Sequence, residues 1–578
     1  MIGNNNHGRN SSGAVILPSR EELEKVGLFS RMRENRKRIR TVLGDKDVMY
    51  VSFRIDDRAL DGVSLEIDEW TKALHGMCKS ISFFSGDTKN PGFLDDKDMI
   101  EHPICHFTRP EIRGITDEWF ERDDITGAEV EVLTGFRSIS DGAFTRLKRI
   151  GSYLGAGSPT EDGVRKLIGD DETGSEVRNL MRDTTVGVEQ EDFMLGVKRA
   201  TELVKLLGIK NQIKEYLLKA AREKKTDVMI VDNVLCYPGN IPFSLAVVEA
   251  ANQLNRDGGM MVVNHSHDFW WEQERFNAKG PNMETLMEYL ATGVENQSVA
   301  VINTPAKEEL ERRTGVKAVV MPNVRDFDNV EETSRDTVRG FRQLVLESED
   351  DIMLLLPVRP VRRKNLRLSV ELADELQKRL EERGDKRKVR LVVTHPPDDE
   401  GDGYLRSVQE YGLRRGILVI DASRLVRKTK TGMDDGVEVS DILTSNGKSG
   451  RIGPEAVRVM RDGITLDEAY DACDMVVYST SREGYGNVIP EAVRKRKPLA
   501  SSDYRIAKTD ILPNGFDFII IQGDGLKPSS EKMVDMICDP ERRSENVEGN
   551  FSRGRLHMSY DTFYERFLSL VDSLQTAT

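Results

Sequence analysis

The sequence lacks both a disulfide framework and a zinc pattern. Its five cysteines, Cys78, Cys105, Cys236, Cys473 and Cys538, are an odd number at unrelated spacings. It also lacks any run near the ~20 apolar residues that a membrane span requires. The first thirteen residues, MIGNNNHGRNSSG, hold no apolar segment of signal type, so a cytoplasmic protein is expected. An excess of positive charge is missing too: 84 Lys and Arg stand against 98 Asp and Glu, a formal net charge of −14. That balance excludes general nucleic-acid binding, which needs a basic footprint, and leaves room for local basic pockets that hold phosphate. What is present is a 38% hydrophobic fraction in a chain of 578 residues. This is enough for real cores and too long for one ordinary domain, so two or three are expected.

The chain is organised around residues 478–494, YSTSREGYGNVIPEAVR. An apolar run ends in small polar residues, Gly484 and Gly486 follow Glu483, and Pro490 and Glu491 sit where a helix starts. Glycines at a strand-to-helix turn let backbone approach a ligand closely. The helix N-terminus beyond them offers N–H groups to an anion, and carboxylates accept hydrogen bonds from sugar hydroxyls. The competing reading is a buried βα corner with two solvated glutamates.

This stretch resembles the two-glutamate signature of the retaining glycosyltransferases of family 4, which have GT-B architecture. Residues 320–328 (VMPNVRDFD) resemble the family's segment at the domain junction, and residues 352–364 (IMLLLPVRPVRRK) its first C-terminal strand and phosphate-binding loop. The likeness is strong from about 320 to 503 and spotty before that. It implies an α/β fold of two Rossmann-like domains facing a central cleft. The expected division is a polar and basic tail over 1–45, an acceptor domain over 46–325 with helical insertions, a donor domain over 326–550, and a C-terminal helix over 551–578 crossing back.

Along the chain, residues 31–40 (RMRENRKRIR) place six basic residues in ten. A solvated helix or a packing arm between subunits is expected rather than a membrane contact, because Met32 and Ile39 are too few for an inserting face. Residues 48–53 read as the first strand. Gly62 and Ser64, in the loop after it, are candidate donors to the diphosphate, with a plain turn as the alternative. Residues 110–225 are largely helical in pattern, and 227–231 and 260–263 read as buried parallel strands. The second of these leads into NHSHDFWWE, residues 264–272. Ligands gather outside the carboxyl ends of strands in doubly wound sheets. His267 matches the histidine that the family carries here, near the transferred sugar. His265 and His267 share a face and suggest a metal, but further ligands are needed. Residues 428–463 interrupt the strand–helix rhythm as a long excursion.

By resemblance, Arg359 and Lys364 bind the diphosphate, Glu483 contacts the donor sugar, and Glu491 takes the ribose hydroxyls. Gly484, Tyr485, Gly486 and Asn487 form the donor loop. Fixed cations favour the transition state, since negative charge grows on the leaving diphosphate. The acidic pairs Asp56-Asp57, Asp398-Asp399 and Asp434-Asp435 lie in turn-like contexts, and no catalytic metal and no cofactor are expected. The co-substrates expected are a nucleotide sugar and a small polar acceptor, with homo-oligomerisation left open. The alternatives are a GT-B disaccharide phosphorylase and a non-catalytic sugar-nucleotide or glycan-binding protein.

Overall fold

The computed structural model describes residues 28–53, 55–56, 62–85, 88–89, 99–100, 122, 124–156, 159–185, 193–272, 278, 280–397, 402–427, 453–521 and 525–575. Two parallel sheets carry the fold. The first contains β1 (Asp47–Ser52), β2 (Ser80–Ser85), β3 (Met99–Ile100), β4 (Val228–Asp232), β5 (Met261–Ser266), β6 (Gln297–Val301) and β7 (Ala318–Val320), in the order β3-β2-β1-β4-β5-β6-β7. The second contains β8 (Ile352–Leu356), β9 (Val389–Val393), β10 (Leu418–Asp421), β11 (Met475–Tyr478), β12 (Leu499–Ser502) and β13 (Ile519–Ile521), in the order β10-β9-β8-β11-β12-β13. The order of each sheet reverses at one point, beside β1 and beside β8, and both switch points open towards the same cleft.

The alternation of side chains along a strand explains how each sheet is covered on both faces. In β1, Met49 and Val51 join the core beneath α3 (Phe193–Glu223) and α4 (Ile241–Gly258). Val48 and Tyr50 point the other way, to Trp70 of α2 (Gly62–Leu74) and to Phe563 and Phe567. These last two belong to α9 (Tyr560–Gln575), which follows α8 (Pro540–His557) and lies on the first sheet. The region read as 551–578 is thus split, and the crossing helix starts at Tyr560. Residues 28–43, read as part of a tail, form α1 (Leu28–Leu43). Its Ile39 and Leu43, one turn apart, are buried against α9, while Arg36 pairs with Asp328 and Asp561. The basic run packs within the chain, and its charge is partly spent there.

The chain passes between the sheets twice, after β7 and before α9, and the passages touch. Arg325 N–H donates to Met558 O at 2.8 Å, and Arg325 bridges to Ser559. The end of the excursion is the helix α6 (Pro454–Asp462), while residues 428–452 lie outside the described part. Among the described residues, no helix is long and apolar enough to cross a membrane.

Candidate functional site

β11 runs directly into the donor loop and then α7 (Val488–Arg494). Gly486 has φ +105°, and a Cβ there would collide with the Tyr504 hydroxyl and crowd the Tyr478 ring, so only glycine fits. A Cβ on Gly484 would lie 2.8 Å from Ile302 Cδ1, a residue of the first domain. The close approach is fastened by Asn303, whose Nδ2 donates to Gly484 O at 2.8 Å. The same side chain caps α5 (Thr304–Thr314) by accepting from Ala306 N–H at 2.7 Å. Tyr485 O accepts from the Tyr504 hydroxyl, and Asn487 Oδ1 meets Asn323 Nδ2. The loop Gly484–Asn487 is therefore gripped from both domains.

The loop after β8 lies alongside. Ser479 Oγ donates to the carbonyls of Lys364 and Asn365 at 3.0 Å, and Ser481 N–H donates to Arg363 O at 2.9 Å. Three donors converge on Glu483 Oε1: Arg363 Nη1 at 2.7 Å, Thr480 Oγ1 at 2.8 Å, and Lys364 Nζ. Burial alone would raise the Glu483 carboxyl, but Lys364 and Arg363 outweigh it and hold it down at about 2. Burial pulls the Lys364 ammonium down to about 8, with Glu483 opposing and Arg363 and Arg359 adding to the depression. Lys364 and Arg359 both bear on His395 at the end of β9, where burial first and these two cations next push the imidazole to about 3. Arg359, Lys364 and a neutral His395 all line this wall of the cleft.

On the opposite wall, Asn233 turns the chain after β4 with φ +53°, and its Oδ1 accepts from the His267 and Asp268 N–H groups at 3.0 and 3.2 Å. The His267 imidazole, 5% exposed, lines the cleft. Its Nε2 lies 3.2 Å from Asp232 Oδ1 and 3.1 Å from His265 Nδ1, which is itself 2.9 Å from Asp232 Oδ2. Burial would lower His267, yet Asp232 outweighs it and the net shift is upward. Burial and the neighbouring His267 push His265 down to about 4. Asp232, His265 and His267 bring ligand-type atoms within 4.8 Å of one another, a group among the described residues able to hold a metal. The donor chemistry suits proton sharing better. Ligation through Nδ1 would leave His265 Nε2–H buried, and that atom has no hydrogen-bond acceptor. Of the acidic pairs, Asp57, Asp398-Asp399 and Asp434-Asp435 lie outside the described residues.

The cleft between the walls encloses about 670 Å³. It is lined by His267, Arg359, Lys364, Glu483, Glu491 and the loop Gly484, Tyr485, Gly486 and Asn487. Gly62 is the first residue of α2, whose Val63 and Leu65 line the same cleft. Of the tryptophan pair, Trp270 is buried, while Trp271 lines the cleft with Arg313 stacked 4.9 Å over its ring.

No protein-family model matches the chain. A mannosylglucosylglycerate synthase of Thermotoga maritima is 26% identical over 393 residues, 64% of this chain and 82% of the relative. One of Petrotoga mobilis is 25% identical over 305 residues, 51% of this chain and 63% of that protein. A crystal structure of a glycosyltransferase from Rickettsia africae ESF-5 superimposes with a TM-score of 0.50 at 10% identity, covering 92% of this chain and 100% of that one. The likeness is to GT-B glycosyltransferases.

Sequence reasoning missed several residues in and behind the cleft. His395 follows a buried strand in an unremarkable THPP. Asn303 reads as an ordinary helix cap. Glu272, pushed up to about 7 by burial, lies in the NHSHDFWWE stretch without a partner that the sequence could reveal. Asp232, the third member of the histidine cluster, ends β4, and only the register of β4 beside β5 brings it to His265.

Proposed function

We propose that the protein is a retaining, metal-independent glycosyltransferase. It moves a sugar from a nucleoside-diphosphate sugar to a hydroxyl of a small polar acceptor. The observation that carries this reading is the convergence in one cleft of Arg359, Lys364 and Glu483 with the glycine loop, facing His267 from the other sheet. The diphosphate binds between the cations and the start of the donor loop. Glu491 takes the ribose hydroxyls, Glu483 the sugar hydroxyls, and His267 the far side of the sugar.

In the transfer step the bond from the anomeric carbon to the diphosphate oxygen breaks. The acceptor oxygen bonds to that carbon on the same face, and its proton passes to the departing diphosphate. Arg359 and Lys364 stabilise the charge that builds there. Glu483 suits the role of hydrogen-bond acceptor rather than nucleophile, since Lys364, Arg363 and Thr480 already hold its Oε1. The names of the two relatives contain mannose, glucose and glycerate. They suit an acceptor that is a sugar or a hydroxy-acid conjugate, whose anionic end would meet Arg313 and Arg505 in the cleft lining.

Incubation with a panel of nucleotide sugars and sugar or hydroxy-acid acceptors tests the proposal. Release of nucleoside diphosphate, an unchanged anomeric configuration by NMR and activity that survives EDTA are expected. An inverted product, activity restored specifically by Mn²⁺, or a requirement for inorganic phosphate in place of a nucleotide overturns it.

A further inference from the structure

Glu491 does not stand alone in the cleft floor. Its Oε1 accepts from Arg325 Nη2 at 3.0 Å and its Oε2 from the Tyr470 hydroxyl at 2.8 Å. The same guanidinium reaches the other domain, where Nη1 donates to Glu66 Oε1 of α2 at 2.8 Å. All three charged groups are buried, with Glu66 at 0%, Arg325 at 5% and Glu491 at 9% exposure. Two carboxylates share one cation here, without bulk water to solvate either. An isolated carboxylate at such depth takes up a proton unless a cation and hydrogen bonds hold it ionised.

We propose that Arg325, anchored by Glu66, is a positioning residue for nucleotide recognition, holding the Glu491 carboxylate as an anion aimed into the cleft. This rests on the reading of Glu491 as the ribose contact. Removing Arg325 would let Glu491 protonate, turning part of an acceptor of ribose hydroxyl protons into a competing donor. Burial already raises Glu491, and Arg325 with the Tyr470 hydrogen bond opposes that rise. The other charged groups facing the pair are Asp467 on the helix Leu466–Ala472, Glu69 on α2, and Arg494 on α7, itself paired with Asp467 at 2.5 Å. None of them replaces Arg325, since Asp467 and Glu69 are acidic and Arg494 is already paired. A guanidinium also serves two carboxylates at once, which an ammonium does poorly.

The test is calorimetric binding of UDP and GDP to the full chain between pH 6.5 and 9, using whichever nucleotide the parent binds more tightly. The parent should lose affinity only above about pH 8, as Lys364 deprotonates, so each variant is read against the parent at the same pH. Arg325→Met should bind ~10-fold or more weakly near pH 7, equivalent to one unit of differential protonation, and recover towards the parent as pH rises and Glu491 ionises. Its KM for the donor should rise more than its kcat falls. A merely structural role would lower affinity equally at every pH, and that result, or parental affinity throughout, overturns the proposal. If Arg325→Met does not fold, Arg325→Lys carries the same expectation at about threefold amplitude, in line with its weaker bridging; binding indistinguishable from the parent at every pH then overturns it. A parent that binds neither nucleotide counts against the proposed function instead.

Discussion

The Lys364 ammonium and the Glu483 carboxylate, each 10% exposed, form a buried ion pair between two neighbouring strand-to-helix loops of one sheet. The pair is also covered by Tyr478, whose ring lies 5.3 Å from Lys364 Nζ. Cation and carboxylate are thereby set against each other before any ligand arrives, so an anion that draws on Lys364 would bear directly on Glu483.

Replacing Lys364 with Ala should lower kcat/KM by ~10²-fold, the cost of one preorganised charge-stabilising donor. Glu483, left buried with Arg363 and Thr480 as its partners, should then rise from about 2. Steady-state kinetics on the nucleotide sugar check this, and turnover within about twofold of the parent, far below what one such donor supplies, would remove Lys364 from the diphosphate site.

The same lysine sets a pH dependence. Its pKa in the free protein is lowered to about 8, so the cation is complete below that pH and lost as pH rises through it. Because kcat/KM reports the free enzyme, kcat/KM for the donor should fall above about pH 8. Lys364→Arg stays charged and should move this falling limb to higher pH, at a lower plateau. A limb that stays in place assigns the titration to another group.

Glu483→Gln and Glu491→Gln should separate two kinds of recognition. The first should cut turnover while leaving affinity for the free nucleoside diphosphate nearly intact, since its partner is the sugar. The second should weaken nucleotide binding itself by about 1–3 kcal/mol, the range for a lost hydrogen bond to a charged group. Calorimetry beside single-turnover rates distinguishes them, and identical profiles for the two variants would contradict the assignment.

His267→Ala should lower kcat far more than nucleotide affinity. Asp232→Asn should do the same more mildly, because Asp232 is the group that raises the imidazole above its ordinary value. With Asn at 232 the His267 pKa, followed by NMR, should drop, and an unchanged value would show that Asp232 does not control it.

Gly486→Ala should destabilise the chain by about 2 kcal/mol, the scale of strain at a positive-φ residue, because the added methyl meets Tyr504 and Tyr478. Thermal unfolding measures this, and an unshifted Tm would mean that the loop relaxes freely.

The cleft wall built from the second sheet was legible because its residues are close in sequence. A strand end, two glycines and a helix start fall within seventeen residues, and Arg359 and Lys364 are five apart. The opposite wall was legible only at His267. Asn303 reaching Gly484, and Arg325 joining Glu66 to Glu491, span 181, 259 and 166 residues of sequence. Such pairs leave no periodicity or spacing to read, since their meaning lies in how the domains face. The fold followed from its apolar runs, but a strand as short as Met99–Ile100 carries no pattern, and a basic run such as 31–40 shows its partners only when α9 is laid beside it.

The contact of the two interdomain passages has a mechanical meaning. Two strips fixed to each other at Arg325, Met558 and Ser559 act as one pivot, leaving rotation about a single line as the motion that breaks fewest interactions. Arg325, part of that pivot, also holds Glu66 of one domain and Glu491 of the other. The hydrogen bond from Asn303 to Gly484 ties the two domains at a second point, so it works as a latch that any rotation about this pivot would have to release.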